Sequence, residues 1–229
     1  MVPFDNNLES FDENAVELEV GVFRERLEIK ESDDTSTDFN ETTFDVFGKL
    51  DSGDEWQLQE GILCDSIAIN CGIGLHNDIG YYSQEAIIEK LIDQGLYSEN
   101  EGLSVNDTAK FMMLYSPCGD IEIYVEEGSL SGLNELCTCI EAGETVICYV
   151  NSSVLYDDAM ADIPGLNADQ MIHVIGIDMS DGENEYVVVN DTAEQNGSGK
   201  HIPLNAFLKA WATNDFYAIS LSPRRGYAS

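Results

Sequence analysis

Helices first and strands afterwards, the order of an α+β domain, is the fold class that the sequence predicts. Helix-like stretches crowd into residues 83–140, and four β-branched or aromatic runs follow between residues 144 and 221. With 43% apolar residues in 229, the chain is large enough to bury one good-sized core.

The elements follow in order. Residues 1–50 are rich in Asp, Glu, Asn, Ser and Thr and read as an acidic N-terminal arm, partly disordered or an edge strand, with one alternating stretch from Val16 to Phe23. The main domain spans 51–223, and 224–229 is a solvated tail holding Arg224 and Arg225. Ser83 opens a helix whose Ala86, Ile87, Leu91 and Ile92 share a face and which Gly95 stops. A second helix begins at Ser104, with Asp107 as the capping acid, and a third covers Ser131 to Ile140. The runs 144–150, 171–178, 186–190 and 216–221 predict strands of one mainly antiparallel sheet, and Leu204 to Ala212 a short helix in a connection. Asp181-Gly182, between two apolar runs, reads as a hairpin turn rather than a calcium loop.

Charge excludes some functions. The 44 acidic and 10 basic residues leave a net −34, which repels nucleic acid phosphates and anionic lipid heads. Neither direct nucleic acid binding nor membrane association is expected. Solubility is the plain consequence of such a charge; a basic partner is the more specific one. No basic start precedes an apolar run and no window holds eighteen apolar residues, so the expectation is a soluble, cytoplasmic protein. Six cysteines fall mostly inside apolar segments and read as reduced and buried. Cys137-Thr-Cys139 lacks a second pair or a nearby histidine at zinc-ligand spacing, so neither a metal nor a cofactor is expected. Trp56 and Trp211 read as core or cleft-wall aromatics.

Particular residues carry a family likeness. Trp56-Gln-Leu-Gln59 precedes the first buried helix, Val150 to Asp158 reads VNSSVLYDD, Asn190-Asp191-Thr192 leads into a Gly-rich loop, and Phe207 to Trp211 has the pattern Phe-x-x-x-Trp. From about Phe47 to Leu221 the chain resembles the bacterial peptidases that trim double-glycine leaders from bacteriocins, a branch of the papain-like cysteine peptidases. The resemblance implies a papain-like fold, with a helical half followed by a mainly antiparallel sheet. It also implies a cysteine nucleophile at the start of the first buried helix, a histidine base at the start of a strand, an orienting aspartate after the next strand and an upstream glutamine donating to the oxyanion.

Two of those positions match, Gln59 for the oxyanion and Asp191 for the orienting acid. The other two depart from the pattern. Counted back from Gly176-Ile-Asp178, the histidine position holds Gln170, and counted back along the helix from Leu75, the cysteine position holds Ser66. A glutamine cannot take and return a proton near neutral pH, and a serine without a base is unreactive. His173 lies three residues beyond Gln170, an odd offset that points it to the other face of a strand.

The resemblance thus implies a catalytically degenerate domain that binds an extended peptide or a partner protein. The alternative is an active cysteine peptidase using Cys64, His173 and Asp191, which needs a loop deletion and a local bulge that turns His173 into the site. A second alternative is an acidic, charge-driven interaction protein.

Overall fold

The computed structural model describes residues 46–59, 67–69, 83–98, 102–103, 107–108, 110–111, 121–124, 129–157, 160, 163, 165–181 and 184–221. The expected strand at Val16 to Phe23, the 224–229 tail and most of the helix expected from Ser104 lie outside these residues. In chain order the elements are β1 (Val46–Gly48), a 3-10 turn (Ser52–Glu55), α1 (Gln84–Asp93), β2 (Tyr97–Ser98), β3 (Gly102–Leu103), β4 (Ile121–Tyr124) and α2 (Ser129–Glu141). Then come β5 (Thr145–Val150), α3 (Ser152–Tyr156), β6 (Gln170–Asp181), β7 (Asn184–Asn190), β8 (Lys200–Pro203), α4 (Leu204–Ala212) and β9 (Ala218–Leu221).

Seven strands form one antiparallel sheet in the order β4-β9-β5-β6-β7-β8, with β1 also against β6; β2 and β3 make a separate pair. The central strands are apolar almost throughout rather than alternating, because both faces of the sheet are covered. On one face Val146, Cys148, Val150, Ile172, Val174 and Val189 meet α2, α3 and α4 in a core around Phe207 and Trp211. On the other, Ile147, Met171, Ile219 and Leu221 pack with Ile67, Ile69, Ile87, Leu91 and Phe111.

Strand β6 is the long axis of the sheet, and its neighbours divide it. Residues 170–174 pair with β5, and residues 176–178 pair with β1, so β1 occupies the lane that β5 vacates. The last residues of the stretch read as an acidic arm therefore belong to the sheet. Between Val174 and Gly176 the register with β7 shifts by one residue, a bulge that returns Ile177 and Met179 to the face of Ile172 and Val174. The β6–β7 turn follows Asp181, as the hairpin reading expects, with Asp181 paired to Asn184.

Helix α1 starts where Ser83 accepts from the Ala86 amide at 3.3 Å and ends where the Leu96 amide returns to the Leu91 carbonyl at 2.9 Å. Its buried stripe is Gln84, Ile87 and Leu91, and Ile92, expected on that face, is 43% exposed. The stripe is offset because Gln84 turns inward to donate to the Leu58 carbonyl at 2.9 Å. Helix α4 has the bounds expected from sequence and is buried over Phe207 to Trp211. Trp211 is a core residue, edge-on to Phe216 and donating from its indole to the Tyr217 carbonyl at 2.9 Å. Cys137, Cys139 and Cys148 are buried thiols. Burial holds the Cys137 and Cys148 thiols well above the usual thiol range, with Glu141 adding to the effect at Cys137 and Cys139 at Cys148. No helix among the described residues is long and apolar enough to cross a membrane.

Gly48 tests whether β1 is integral to the sheet. Its φ is +82°, and a Cβ there would lie 2.4 Å from the Ile140 side chain and 2.5 Å from the Ile175 carbonyl oxygen. Gly48→Ala is expected to lower the unfolding free energy by about 1–3 kcal/mol in urea titrations. An unchanged midpoint would mean that β1 does not hold the sheet.

Candidate functional site

Antiparallel pairing alone brings Gln170 to Asp191. The β6–β7 register sets His173 opposite Asn190, which carries Ile172 opposite Asp191 just past the end of β7. Gln170, two residues before Ile172, points to the same face as Asp191, one step along the diagonal. The Gln170 amide nitrogen donates to Asp191 Oδ1 at 2.7 Å, in a bond buried from solvent.

Asp191 is fully buried, and its carboxylate is held by donors from three directions. Besides Gln170, the Ala193 amide donates to Oδ1 at 2.9 Å, and the Tyr156 hydroxyl donates to Oδ2. The Trp56 indole donates to the Asp191 carbonyl at 2.6 Å, and the Asp191 amide donates to the Gly197 carbonyl at 2.9 Å. That loop closes tightly around the aspartate, since a Cβ on Gly197 would lie 1.8 Å from the Asp191 carbonyl oxygen. Tyr156 keeps its proton. Burial, then the bond to Asp191, push its hydroxyl far above the usual phenol range.

Helix α3 delivers Tyr156 because its start is anchored twice. Asn151 accepts from the Val154 amide at 2.9 Å, and the Ser152 amide and hydroxyl donate to Asp169 at 2.7 and 2.9 Å, beside Gln170. Lys200 sits 3.8 Å over the Tyr156 ring centroid.

Gln59 borders the same site. Its backbone N–H donates to the Thr192 carbonyl at 2.8 Å, and the Thr192 hydroxyl donates to Gln59 Oε1 at 3.2 Å. With that oxygen bonded to Thr192, the Gln59 side-chain NH2 is turned away from Thr192.

His173 lies elsewhere. Residues 170–174 pair with β5 without a break, and the bulge comes only after Val174. Alternation therefore puts His173 on the face opposite Gln170 and Asp191, shared with Met171 and with the cluster that holds Ile67. The bulge that a Cys64/His173/Asp191 triad requires is absent from the segment that would need it, and the carboxylate oxygens of Asp191 are bonded to Gln170, Ala193 and Tyr156 instead. His173 is 3% exposed, with Nε2 3.8 Å from Glu55. Burial pushes its imidazole down to about 4, so it is neutral near pH 7 and the contact with Glu55 is not an ion pair. Cys64 and Ser66 lie outside the described residues; Ile67, which follows Ser66, is fully buried. No group of three or more His, Cys, Asp or Glu among the described residues is arranged to hold a metal ion.

Sequence reasoning points to Gln59, Gln170 and Asp191, and the fold brings these three together. From sequence Trp56 reads only as a core or cleft-wall aromatic, with no partner assigned to its indole, and Tyr156 is not singled out. Tyr156 lies within the VNSSVLYDD stretch, but nothing in that pattern says which side chain reaches β7.

Among solved structures, a putative C39-like peptidase from Bacillus anthracis superposes with a TM-score of 0.54 at 14% identity, over 78% of this chain and 98% of that one. The fold is that of a papain-like cysteine peptidase. A second papain-like structure, the Amb a 11 cysteine protease of ragweed pollen in its proform, superposes with a TM-score of 0.50 at 9% identity, over 82% of this chain and 69% of that one. Such identities show the fold alone. No family model matches the sequence. Uncharacterized proteins of Mycobacterium tuberculosis and Mycobacterium bovis are 27% identical over 94 residues, 41% of this chain, so the chain spans about 40% of the length of these relatives.

Two outcomes follow from this geometry. Tyr156→Phe removes one donor from a buried carboxylate and is expected to cost about 1–3 kcal/mol in chemical denaturation; an unchanged stability would mean that the Tyr156 bond does not hold Asp191. The His173 pKa is lowered on folding, so its contribution is fully present above about pH 6.5 and is lost as pH falls toward about 4. Compared with His173→Gln, the native protein is expected to lose on the order of 3 kcal/mol more across that window. Parallel pH profiles of the two proteins would contradict a buried neutral His173.

Proposed function

We propose that this chain is a catalytically degenerate cysteine-peptidase-like domain of the kind that trims double-glycine leaders, and that it binds an extended peptide or a partner protein without cutting it. The observation that carries the reading is the hydrogen bond from Gln170 to Asp191. In a working site the orienting carboxylate receives the N–H of an imidazole, whose other nitrogen takes the proton of the nucleophile. The amide of Gln170 supplies the first of those contacts and cannot supply the second.

Retention of the rest supports binding rather than loss of purpose. Asp191 keeps a full set of donors, and Gln59 keeps its side-chain NH2 turned away from Thr192. An extended peptide laid along this site would meet the oxyanion donor and no base.

The purified chain is expected to release no fluorophore from quenched peptide substrates, double-glycine peptides among them, and to show no labelling of Cys64 by an epoxide-based thiol-peptidase probe. Turnover that disappears in Cys64→Ala would overturn the proposal and favour the active-peptidase reading.

A further inference from the structure

The loop that closes around Asp191 carries the one Asn-Gly pair in the chain, Asn196-Gly197. The fold imposes the glycine, because a Cβ at residue 197 would lie 1.8 Å from the Asp191 carbonyl oxygen and 3.0 Å from that of Glu194. The residue before it is an exposed asparagine. Such a pair has a chemistry of its own. With no side chain on the glycine to shield it, the glycine nitrogen attacks the side-chain carbonyl carbon of the asparagine, a succinimide ring closes, and the side-chain nitrogen leaves as ammonia. Water then opens the ring at one of its two carbonyls to give aspartate or isoaspartate. The net change is amide plus water to carboxylate plus ammonium, with no other reactant.

Attack requires the Gly197 nitrogen to lose its proton and to swing onto the Asn196 side chain. In the closed loop that nitrogen donates to the Glu194 carbonyl at 3.0 Å, while the Gly197 carbonyl accepts from the Asp191 amide at 2.9 Å. Gly197 is buried, and beyond it the Ser198 hydroxyl donates to the Gly53 carbonyl at 2.6 Å and the Gly199 amide donates to Asn190 Oδ1 at 3.0 Å. A residue tied at both ends cannot swing until the loop opens. We propose that Asn196-Gly197 is a self-modification site that the closed Asp191 loop keeps silent, and that opening of the loop commits it to conversion. The isoaspartate product puts one more carbon into the backbone between Asp191 and Gly197, and either product puts a new carboxylate near Glu194. A lengthened loop no longer brings the Gly197 carbonyl to the Asp191 amide, and the Ala193 amide that holds Asp191 Oδ1 sits in the same loop. Conversion to isoaspartate is thus one-way, and it loosens the hold on Asp191 whether or not the site cuts.

The test incubates the full chain in mildly alkaline buffer, folded and unfolded in guanidinium chloride, and follows the peptide that contains residue 196 by mass spectrometry, with isoaspartate counted by enzymatic methylation. Conversion at Asn196 is expected to run about ten-fold or more slower in the folded chain than in the unfolded one. Equal rates would overturn protection by the loop, and an Asn196 that stays intact in the unfolded chain would overturn the site itself.

The aged chain is then refolded and its denaturation midpoint compared with that of fresh chain. Asn196→Ser, aged in parallel, accounts for change at other asparagines, and unaged Asn196→Asp carries the new charge without the extra backbone carbon. The aged native chain is expected to unfold at lower denaturant than the fresh one, with both variants unfolding where the fresh native chain does. An unchanged midpoint in the aged chain, or one lowered equally in aged Asn196→Ser, would overturn the claim that the modified loop does not reclose. A midpoint lowered equally in Asn196→Asp would overturn the role of the lengthened backbone.

Discussion

A buried carboxylate with nowhere to send its charge is the constraint on which the rest of this molecule turns. Asp191 is wholly removed from water, and an unpaired ion in that position would cost several kcal/mol. It is tolerated because Gln170, Ala193 and Tyr156 each point a donor at it. The three come from the start of β6, the turn after β7 and the end of α3, and the Trp56 indole adds the segment before Gln59 through the Asp191 carbonyl. One residue is thereby the joint between the sheet, a helix on its face and the strand-like segment 56–59.

The joint also limits which side chains can stand beside Asp191 on β6. What Asp191 requires of its neighbour on β6 is an N–H at the right distance. Glutamine meets that requirement as well as histidine does, and a hydrophobic residue would not. The fold selects for the donor, and only catalysis selects for the second nitrogen. Likeness of fold to cysteine peptidases therefore carries no statement about turnover; the chemistry rests on the side chains at the site.

Much of this is legible in the sequence, for physical reasons that can be named. Strands β5, β6 and β7 are runs of β-branched residues long enough to stand out, β9 ends a mostly aromatic and aliphatic run from Phe216 to Leu221, and α4 is marked by its aromatic spacing. The opposition of Gln170 and His173 follows from the two-residue period of a strand alone, because β6 is regular over that stretch. Less legible are β1, β4 and β8, of three or four residues each, whose extended state comes from the partner across the ladder rather than from their own composition. Gln84 is hidden from pattern reasoning because an inward glutamine on α1 makes sense only once the Leu58 carbonyl is beside it. Tyr156 is hidden for the same reason, its partner lying on another element.

The shared lane beside β6 has a consequence for the order of assembly. On the ribosome, Val46 to Gly48 emerge long before their partners Gly176 to Asp178, and the segment waits unpaired while most of the chain is made. β5, separated from β6 by one short helix and a loop, can zip up first. The lane is therefore filled from its nearer half, with β1 arriving as a late clasp over the bulge. A clasp set last is also the first to open, so breathing of this sheet is expected to begin at the Gly176 end of β6, on the far side of the bulge from Gln170.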